Sequence, residues 1–276
     1  MKLIILVLCS RNYLSYISCK TQKKIWSSES ENIKIIHFVG SYDEHSRETN
    51  YIAKKNKDYL FLETDDRYEN IAKKTIMAFE KIYEDYDFDY VFRTNTSSYI
   101  NLFRFSEYVK NFENKLSYAG VHVNSKEGSL IASGAGIFLS KENVKLLIDN
   151  KNKIEFNLPD DVAIAKMLLS SKILPTNIER KDLKYVPTPI EIMNDKNFHY
   201  RCRLDPHYHR ILEPALMRYL SNIKSRVSLK IYLNFIYLKI LFYVSNIKFI
   251  RKLIQKYYSF KFYGEIYFYK KLIFKK

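Results

Sequence analysis

Tyr90-Val-Phe-Arg-Thr-Asn-Thr-Ser-Ser-Tyr-Ile-Asn101 is the stretch from which the fold of this chain can be worked out. Its hydrophobic start predicts a buried strand, and the short polar side chains that follow predict a turn. Asn95, Thr96 and Ser97 form that turn without a carboxylate. Their side chains can donate hydrogen bonds, but they lack the charge that makes a good ligand for Mg²⁺ or Mn²⁺. The turn is therefore either a binding site that uses neutral groups or a plain Asx turn.

The segments around this stretch alternate between strand and helix patterns. Hydrophobic runs predict strands at residues 2–9, 33–39, 59–62, 117–123 and, after a glycine-bearing turn, within 131–140. Helical spacing of apolar residues is found at 68–83, 101–112, 141–150 and 160–169. This alternation predicts an α/β fold with a mainly parallel sheet and helices on both faces. Ligands of such sheets bind at the carboxyl ends of the strands, where Ser10-Arg11, Asn95–Ser97 and Ser133–Gly136 fall.

The composition limits the class of protein. A chain of 276 residues is long enough for one sizeable domain with an appendage, and 47% hydrophobic residues exclude general disorder. Three scattered cysteines argue against a disulfide framework or a zinc site and fit a reducing cytoplasm. The apolar run at residues 3–9 is short and lacks a cleavage site, so we interpret it as a strand and not as a signal peptide.

The positive charge is concentrated in the last part of the chain. Residues 221–276 contain 13 Lys or Arg and one acid, whereas the whole chain has a net charge of +16. We therefore predict a domain at residues 1–222 and a basic, aromatic helical tail at 223–276, with a polar row that starts at Lys230, Asn234 and Tyr237. The apolar part, 231–247, is short for a membrane span. A segment lying on an anionic membrane surface fits better, and packing on the domain or binding nucleic acid are the alternatives.

Six short segments carry a recognisable pattern: Gln22-Lys-Lys-Ile-Trp26, Asp66–Thr75, Val91–Asn101, Tyr118-Ala-Gly120, Ser133–Ser140 and Pro159-Asp-Asp-Val162. In this order they resemble the β-1,3-galactosyltransferase/Fringe-like family of inverting GT-A glycosyltransferases. The family has an acidic triplet where this chain has Asn95–Ser97. The resemblance therefore implies a GT-A fold, and the departure leaves both the need for a divalent metal and the activity itself open.

The resemblance implies a general base in the Pro-Asp-Asp-Val segment. An inverting transfer needs a base that takes the proton of the acceptor hydroxyl. Asp161 aligns with the base proposed for the family, and Asp160 is expected to orient it or to bind the acceptor. Without the resemblance, both carboxylates can equally be explained by helix capping and the helix dipole.

Without the acidic triplet, other groups must stabilise the diphosphate of the donor. Arginine is suited to paired hydrogen bonds with phosphate oxygens. The candidates for donor binding are Ser10, Arg11, Lys74, Arg93, Asn95, Thr96, Ser97, Gly134, Ala135, Gly136, His199 and Arg201. Glycines at 134 and 136 would let the backbone approach a sugar closely, or they simply begin a strand. The cations around His199, which include Arg203, can also be explained as surface charges beside a hairpin.

These features predict a glycosyltransferase on the cytoplasmic face of a membrane. It would transfer a hexose or N-acetylhexosamine from a UDP-sugar, with inversion, to a glycan or lipid-linked acceptor in cell-surface polysaccharide or lipooligosaccharide assembly. We expect no tightly bound cofactor, no metal ligands at the turn and no nucleic acid partner. Two other classes remain open, a non-catalytic relative that binds sugar nucleotides or glycans and a nucleic-acid-binding protein that uses the tail.

Overall fold

A computed structural model describes residues 1–10, 13–26, 32–42, 59–111, 117–125, 128–204, 210–223 and 228–245. The strands within these ranges are β1 (Leu3–Leu8), β2 (Ile33–Tyr42), β3 (Tyr59–Asp65), β4 (Tyr90–Asn95), β5 (Ser98–Ile100), β6 (Tyr118–Asn124), β7 (Leu130–Ser140), β8 (Thr176–Asn177), β9 (Lys181–Asp182) and β10 (His199–Arg201). The helices are α1 (Tyr13–Trp26), α2 (Ile71–Asp85), α3 (Leu102–Asn111), α4 (Lys141–Asp149), α5 (Asp160–Ser170), α6 (Pro189–Met193), α7 (Glu213–Asn222) and α8 (Leu229–Ser245). Short 3₁₀ helices lie at Tyr68–Asn70, Lys151–Lys153 and Arg210–Leu212.

The main sheet has seven strands in the order β3-β2-β1-β4-β7-β6-β8. The strands β3, β2, β1 and β4 run parallel to one another, whereas β7 runs antiparallel to both β4 and β6. A second sheet has the order β5-β10-β9. The predicted α/β class with a mainly parallel sheet is confirmed.

The hydrophobic runs form strands because the central part of the sheet is covered on both faces. Side chains alternate along a strand, so Ile4 and Leu6 join the core beneath α2, α4 and α5. Leu3, Ile5 and Val7 join the core on the opposite face, beneath α1 and α3. A strand buried on both faces reads as a continuous apolar run, which is the pattern that β1 shows.

One strand differs from its prediction. Residues 130–140 form a single strand, β7, and not a glycine turn that leads into a strand. The glycines are needed there because other groups approach the strand closely: a Cβ at Gly136 would lie 2.6 Å from Cε1 of His199. The register of β6 against β7 shifts at this point, since Gly120 pairs with Ile137 and His122 pairs with Ala132.

The topology brings the predicted polar stretches to one edge of the sheet. Leu8 pairs with Asn95, and Thr94 pairs with Gly136. Because β7 runs antiparallel to β4, its first half lies at the carboxyl ends of β1 and β4. The ends of these strands therefore converge where ligands of α/β proteins bind.

The first helix of the predicted tail packs on the rest of the chain. Ile231 and Leu238 of α8 are buried, and the ring of Phe235 lies 6.4 Å from that of Tyr219 on α7. The opposite side of α8 is exposed and mostly apolar, where a polar row was predicted. We call this side the outer face; it contains Leu229, Tyr232, Leu233, Ile236, Tyr237, Ile240 and Tyr243.

Two points about the tail follow from this packing. A cut after residue 222 would uncover the surface of α7 beneath Phe235, and the boundary at 222/223 stays a prediction. No helix within the described ranges is long and apolar enough to cross a bilayer.

Candidate active site

The two adjacent carboxylates at the start of α5 occupy different environments. Asp160 is 5% exposed; it forms an ion pair with Arg93 and accepts a hydrogen bond of 2.9 Å from the Thr75 hydroxyl. Burial raises the pKa of Asp160, while the Arg93 guanidinium and the Thr75 hydroxyl act in the opposite direction. With its oxygens engaged inside the protein, Asp160 is suited to holding other groups in place.

Asp161 is half-buried and lies against β7. Its Oδ2 accepts a hydrogen bond of 2.9 Å from the backbone N–H of Gly134, and its Oδ1 accepts one of 3.0 Å from that of Val162. A Cβ at Gly134 would lie only 2.9 Å from Oδ2. Glycine at this position therefore allows the carboxylate to sit on the strand at the edge where the strands converge.

Arg93 lies beneath these carboxylates, 2% exposed, with its guanidinium bonded to Asp160 and to the carbonyl oxygen of Gly134. It therefore joins α5 to β7. Arg93 was predicted to contact the donor diphosphate, but this guanidinium is buried and already engaged by those two partners. Its position corresponds to a structural role.

The turn at Asn95–Ser97 forms an Asx turn. The side-chain oxygen of Asn95 accepts hydrogen bonds of 3.1 Å from the Ser97 N–H and 2.7 Å from the Ser97 hydroxyl. Thr96 and Ser97 are 5% and 4% exposed. A turn without charge, whose one carbonyl side chain is already engaged, does not fit a divalent metal.

The segment Gln22–Trp26 on α1 supports the residues that follow this turn. Gln22 donates a hydrogen bond of 2.9 Å to the carbonyl oxygen of Ser98, and the Trp26 indole donates one of 3.0 Å to that of Ile100. The His37 ring contacts the Gln22 side chain at 3.3 Å. The sequence did not predict this role for His37; the only sign was its place near the end of a buried strand.

His199 lies on the other side of the turn. It is 2% exposed, its Nε2 lies 3.1 Å from the Ser98 hydroxyl, and its ring packs on Gly136. Burial lowers the pKa of His199 well below its usual value, with smaller contributions from Arg180 and Arg201, so the ring is neutral at pH 7. The interpretation of this residue as a surface charge is wrong.

The other predicted donor-binding groups are spread along the same edge. Ser10 follows β1, and its N–H donates a hydrogen bond of 2.9 Å to the Ser15 hydroxyl, while Arg11 lies outside the described residues. The carbonyl oxygen of Ala135 accepts a hydrogen bond of 2.8 Å from Thr94. Donor binding by these groups stays a prediction.

Lys74 is 1% exposed, and its ammonium is 2.7 Å from Oδ1 of Asp66, which also accepts a hydrogen bond from the Gly40 N–H. The charge of Lys74 is therefore already paired inside the protein. This position does not fit the predicted contact with a diphosphate, because a buried ammonium that leaves its carboxylate would leave an unpaired charge behind.

Arg180 was missed, because nothing in its sequence context distinguishes it. Its side chain is 4% exposed, binds Asp182 through two nitrogens and donates a hydrogen bond of 3.2 Å to the Ser133 hydroxyl. Arg201 lies beside it, 3.8 Å from the same aspartate. Within the described ranges, no group of three or more His, Cys, Asp or Glu side chains could hold a metal ion.

Comparison with known families supports the predicted resemblance. Residues 20–131 match the Galactosyltransferase family model. From within α1 to the start of β7 the chain is therefore similar to this family, while the segments Ser133–Ser140 and Pro159–Val162 lie outside the match. Asp160, Asp161 and His199 lie beyond the matched segment, so their roles depend on the geometry and on the motif resemblance. No curated protein matches the sequence significantly.

Solved structures give weaker matches. The galactosyltransferase LgtC, in complex with donor and acceptor sugar analogs, is 11% identical over 84% of this chain and 99% of its own, with a TM-score of 0.39. The glycosyltransferase GlyE of Streptococcus pneumoniae TIGR4 is 13% identical over 86% of this chain and 63% of its own, with a TM-score of 0.41. A 4-diphosphocytidyl-2C-methyl-D-erythritol synthase is 12% identical over 64% of this chain and 88% of its own, with a TM-score of 0.40. These scores are too low to distinguish between activities.

Proposed function

We propose that this protein is an inverting glycosyltransferase that moves a hexose or N-acetylhexosamine from a UDP-sugar to an acceptor hydroxyl. The observation that carries the proposal is the division between the two carboxylates of α5. Asp160 is buried and ion-paired, whereas Asp161 is half-buried and is held against β7 by the backbone N–H of Gly134. The family match over residues 20–131 supplies the reaction class.

In this proposal Asp161 is the general base. Its carboxylate takes the proton of the acceptor hydroxyl while the hydroxyl oxygen forms a bond to the anomeric carbon. The bond between that carbon and the diphosphate oxygen breaks at the same time, and its electron pair leaves with UDP. Attack from the face opposite the leaving group inverts the anomeric configuration.

The residues beneath Asp161 position it. Arg93 holds Asp160 and the carbonyl oxygen of Gly134, and the N–H of Gly134 holds Asp161. The carboxylate is thus fixed on two elements that are themselves tied together. Positioning of this kind matters because a misplacement of about 1 Å can lower a rate by about 10²-fold.

We further propose that the donor lies along the edge formed by Ser10, Asn95–Ser97 and Gly134–Gly136, with Arg201 near the diphosphate. His199 was predicted to contact the donor, but it is buried and supports this edge from within through Ser98. The metal is expected to be dispensable or weakly bound, because the turn lacks carboxylates.

The acceptor is proposed to be a glycan or a lipid-linked sugar at the cytoplasmic face of an anionic membrane, as in cell-surface polysaccharide or lipooligosaccharide assembly. Two observations support this placement: the exposed apolar outer face of α8 and the 13 Lys or Arg in residues 221–276. Basic, aromatic segments of this kind bind anionic lipid surfaces. Nucleic acid is not an expected partner.

The experiment is a UDP-release assay of the purified full-length chain with a panel of UDP-sugars, with and without a lipid-linked acceptor and with and without EDTA. Release of UDP that depends on one donor, together with a product of inverted configuration by NMR, would support the proposal. Tight donor binding without UDP release in any condition would instead identify the chain as a non-catalytic relative.

A further inference from the structure

A group of arginines lies next to the turn that lacks the acidic triplet. Arg201 is on β10, Arg203 follows two residues later, and Arg210 starts the 3₁₀ helix before α7. Glu213, the first residue of α7, is 1% exposed and interacts electrostatically with all three. We call Arg201, Arg203, Arg210 and Glu213 the arginine cluster.

The pairing of β10 with β5 aligns the cluster with the turn. Arg201 is paired with Ser98, and the N–H of Cys202 donates a hydrogen bond of 2.7 Å to the carbonyl oxygen of Ser97. Arg203 follows Cys202 directly, at the point where the N–H of Leu204 bonds back to the carbonyl oxygen of Cys202 and the strand ends. Cationic side chains thus stand across from the turn in which a carboxylate triplet would otherwise hold a cation.

The cluster has hydrogen-bond donors that lack acceptors. The Nε atoms of Arg201, Arg203 and Arg210 are buried, and none has a hydrogen-bond partner among the described residues. Arg210 Nε is 3.5 Å from Glu213 Oε1, an ion pair without a hydrogen bond. Buried donors are normally satisfied, so this arrangement indicates that an acceptor is missing.

Glu213 competes only weakly with an external acceptor for these three arginines. Burial raises the pKa of Glu213 to about 7, against the lowering influence of Arg210, Arg203 and Arg201. Asp182 is also 3.8 Å from Arg201 but pairs with Arg180 as well, so the carboxylates nearby leave the three guanidinium groups with an excess of positive charge. Oxyanions with more oxygens and more charge, such as a diphosphate, match the planar guanidinium fork better.

We infer that the arginine cluster binds the diphosphate of the donor and takes the place of a divalent metal beside the Asn95–Ser97 turn. The diphosphate oxygens accept hydrogen bonds from Arg201 and Arg203, and Arg210 adds charge from the other side of Glu213. This assignment rests on the proposed function only for the identity of the donor; an anion site at these arginines can be tested without turnover.

The test is isothermal titration of the full-length chain with inorganic pyrophosphate in EDTA. Arg203→Gln and Arg210→Gln are each expected to weaken pyrophosphate binding by about tenfold or more, because each removes a charge-assisted hydrogen bond or its charge. Glu213→Gln keeps the shape of the side chain, removes the competing charge and is expected to tighten binding severalfold at pH 8. Arg218→Gln, an exposed arginine on α7, is the matched control and should not change it.

Several outcomes decide the inference. A circular dichroism melt checks that each variant folds, and if Arg203→Gln does not, Arg203→Lys keeps the charge without the fork and should bind with intermediate affinity. UDP must compete with pyrophosphate in the unmodified chain. Binding that requires Mn²⁺, binding that UDP does not displace, or binding that Arg203→Gln and Glu213→Gln leave unchanged would overturn the inference. Arginine-dependent binding without any UDP release would contradict the transferase proposal and leave this site intact.

Discussion

Gly134→Ala tests the contact that holds Asp161 on the sheet. The new Cβ would lie 2.9 Å from Oδ2 of Asp161, 3.2 Å from Cγ and 3.3 Å from its Cβ. The side chain must therefore recede by a few tenths of an ångström, yet the same oxygen accepts the Gly134 N–H at 2.9 Å. The carboxylate cannot satisfy both constraints and will shift from its position.

We expect Gly134→Ala to lower kcat by about 10- to 100-fold, from the sensitivity of rates to misplacement of about 1 Å. The free energy of unfolding should fall by only about 1 kcal/mol, because the half-buried carboxylate can move toward solvent. Initial rates of UDP release and urea denaturation measure the two quantities on the same preparation.

Gly136→Ala is the comparison. There the new Cβ would lie 2.6 Å from Cε1 of His199 and 2.9 Å from Cζ of Phe92, both of which are buried. Overpacking of this kind costs about 1–3 kcal/mol, so this variant should lose more stability than Gly134→Ala. A Gly134→Ala protein that keeps its kcat within about twofold would refute the role given to the Gly134–Asp161 contact.

Three further predictions concern metal, pH and the tail. Sugar transfer should survive EDTA, since the Asx turn offers no carboxylate; loss in EDTA with rescue by Mn²⁺ would contradict this. Burial lowers the pKa of His37 from 6.5 to about 3, so the unfolded chain binds the proton first. The free energy of unfolding should then fall as pH drops below 6.5, by up to about 1.4 kcal/mol per pH unit. Urea titrations from pH 7 to 5 should show a shallower fall for His37→Gln than for the unmodified chain. Equal slopes for the two proteins would contradict this role of His37. Removing residues 246–276 should leave a folded chain that binds anionic vesicles much less than the full-length protein does. High salt should release the full-length protein from these vesicles. Release by detergent alone would mean that the segment inserts deeply.

The strands could be predicted from the sequence because burial on both faces leaves a continuous apolar run. β1 is such a case, whereas β4 is apolar only in its first half, and the polar stretches at the ends of both strands lie at the edge where the strands converge. The strand β7 was harder, because glycines in sequence usually indicate a turn. Here they are in a strand that other side chains approach closely, which only the tertiary packing reveals.

The roles of charged residues were the least predictable part of the site. Arg93 and Lys74 read as cations available to a ligand, but their partners are Asp160 and Asp66, and both pairs are buried. A buried pair cannot be recognised from the sequence, because it depends on which distant segment supplies the counter-charge. Arg180 and Glu213 were missed for the same reason. Asp161 was predicted from the motif resemblance, and its role stays a prediction.

The outer face of α8 shows a similar limit. The charge of the last 56 residues indicated a surface segment, but the pattern could not show which side of the helix packs on α7. The structure buries Ile231 and Leu238 and exposes Leu233 and Tyr237. The apolar side of α8 is therefore exposed, and Lys230 and Lys239 are exposed beside it.

The central claim is that Asp161 is the base and Asp160 a positioning residue, and the turnover of two Asn variants tests it most directly. Asp161→Asn should lower kcat by about 10²-fold or more with UDP affinity within a few-fold and little change in stability. Asp160→Asn should instead destabilise the fold by about 3–5 kcal/mol, because it leaves Arg93 buried without its counter-ion. An Asp161→Asn protein that retains turnover while a folded Asp160→Asn protein loses it would contradict the account.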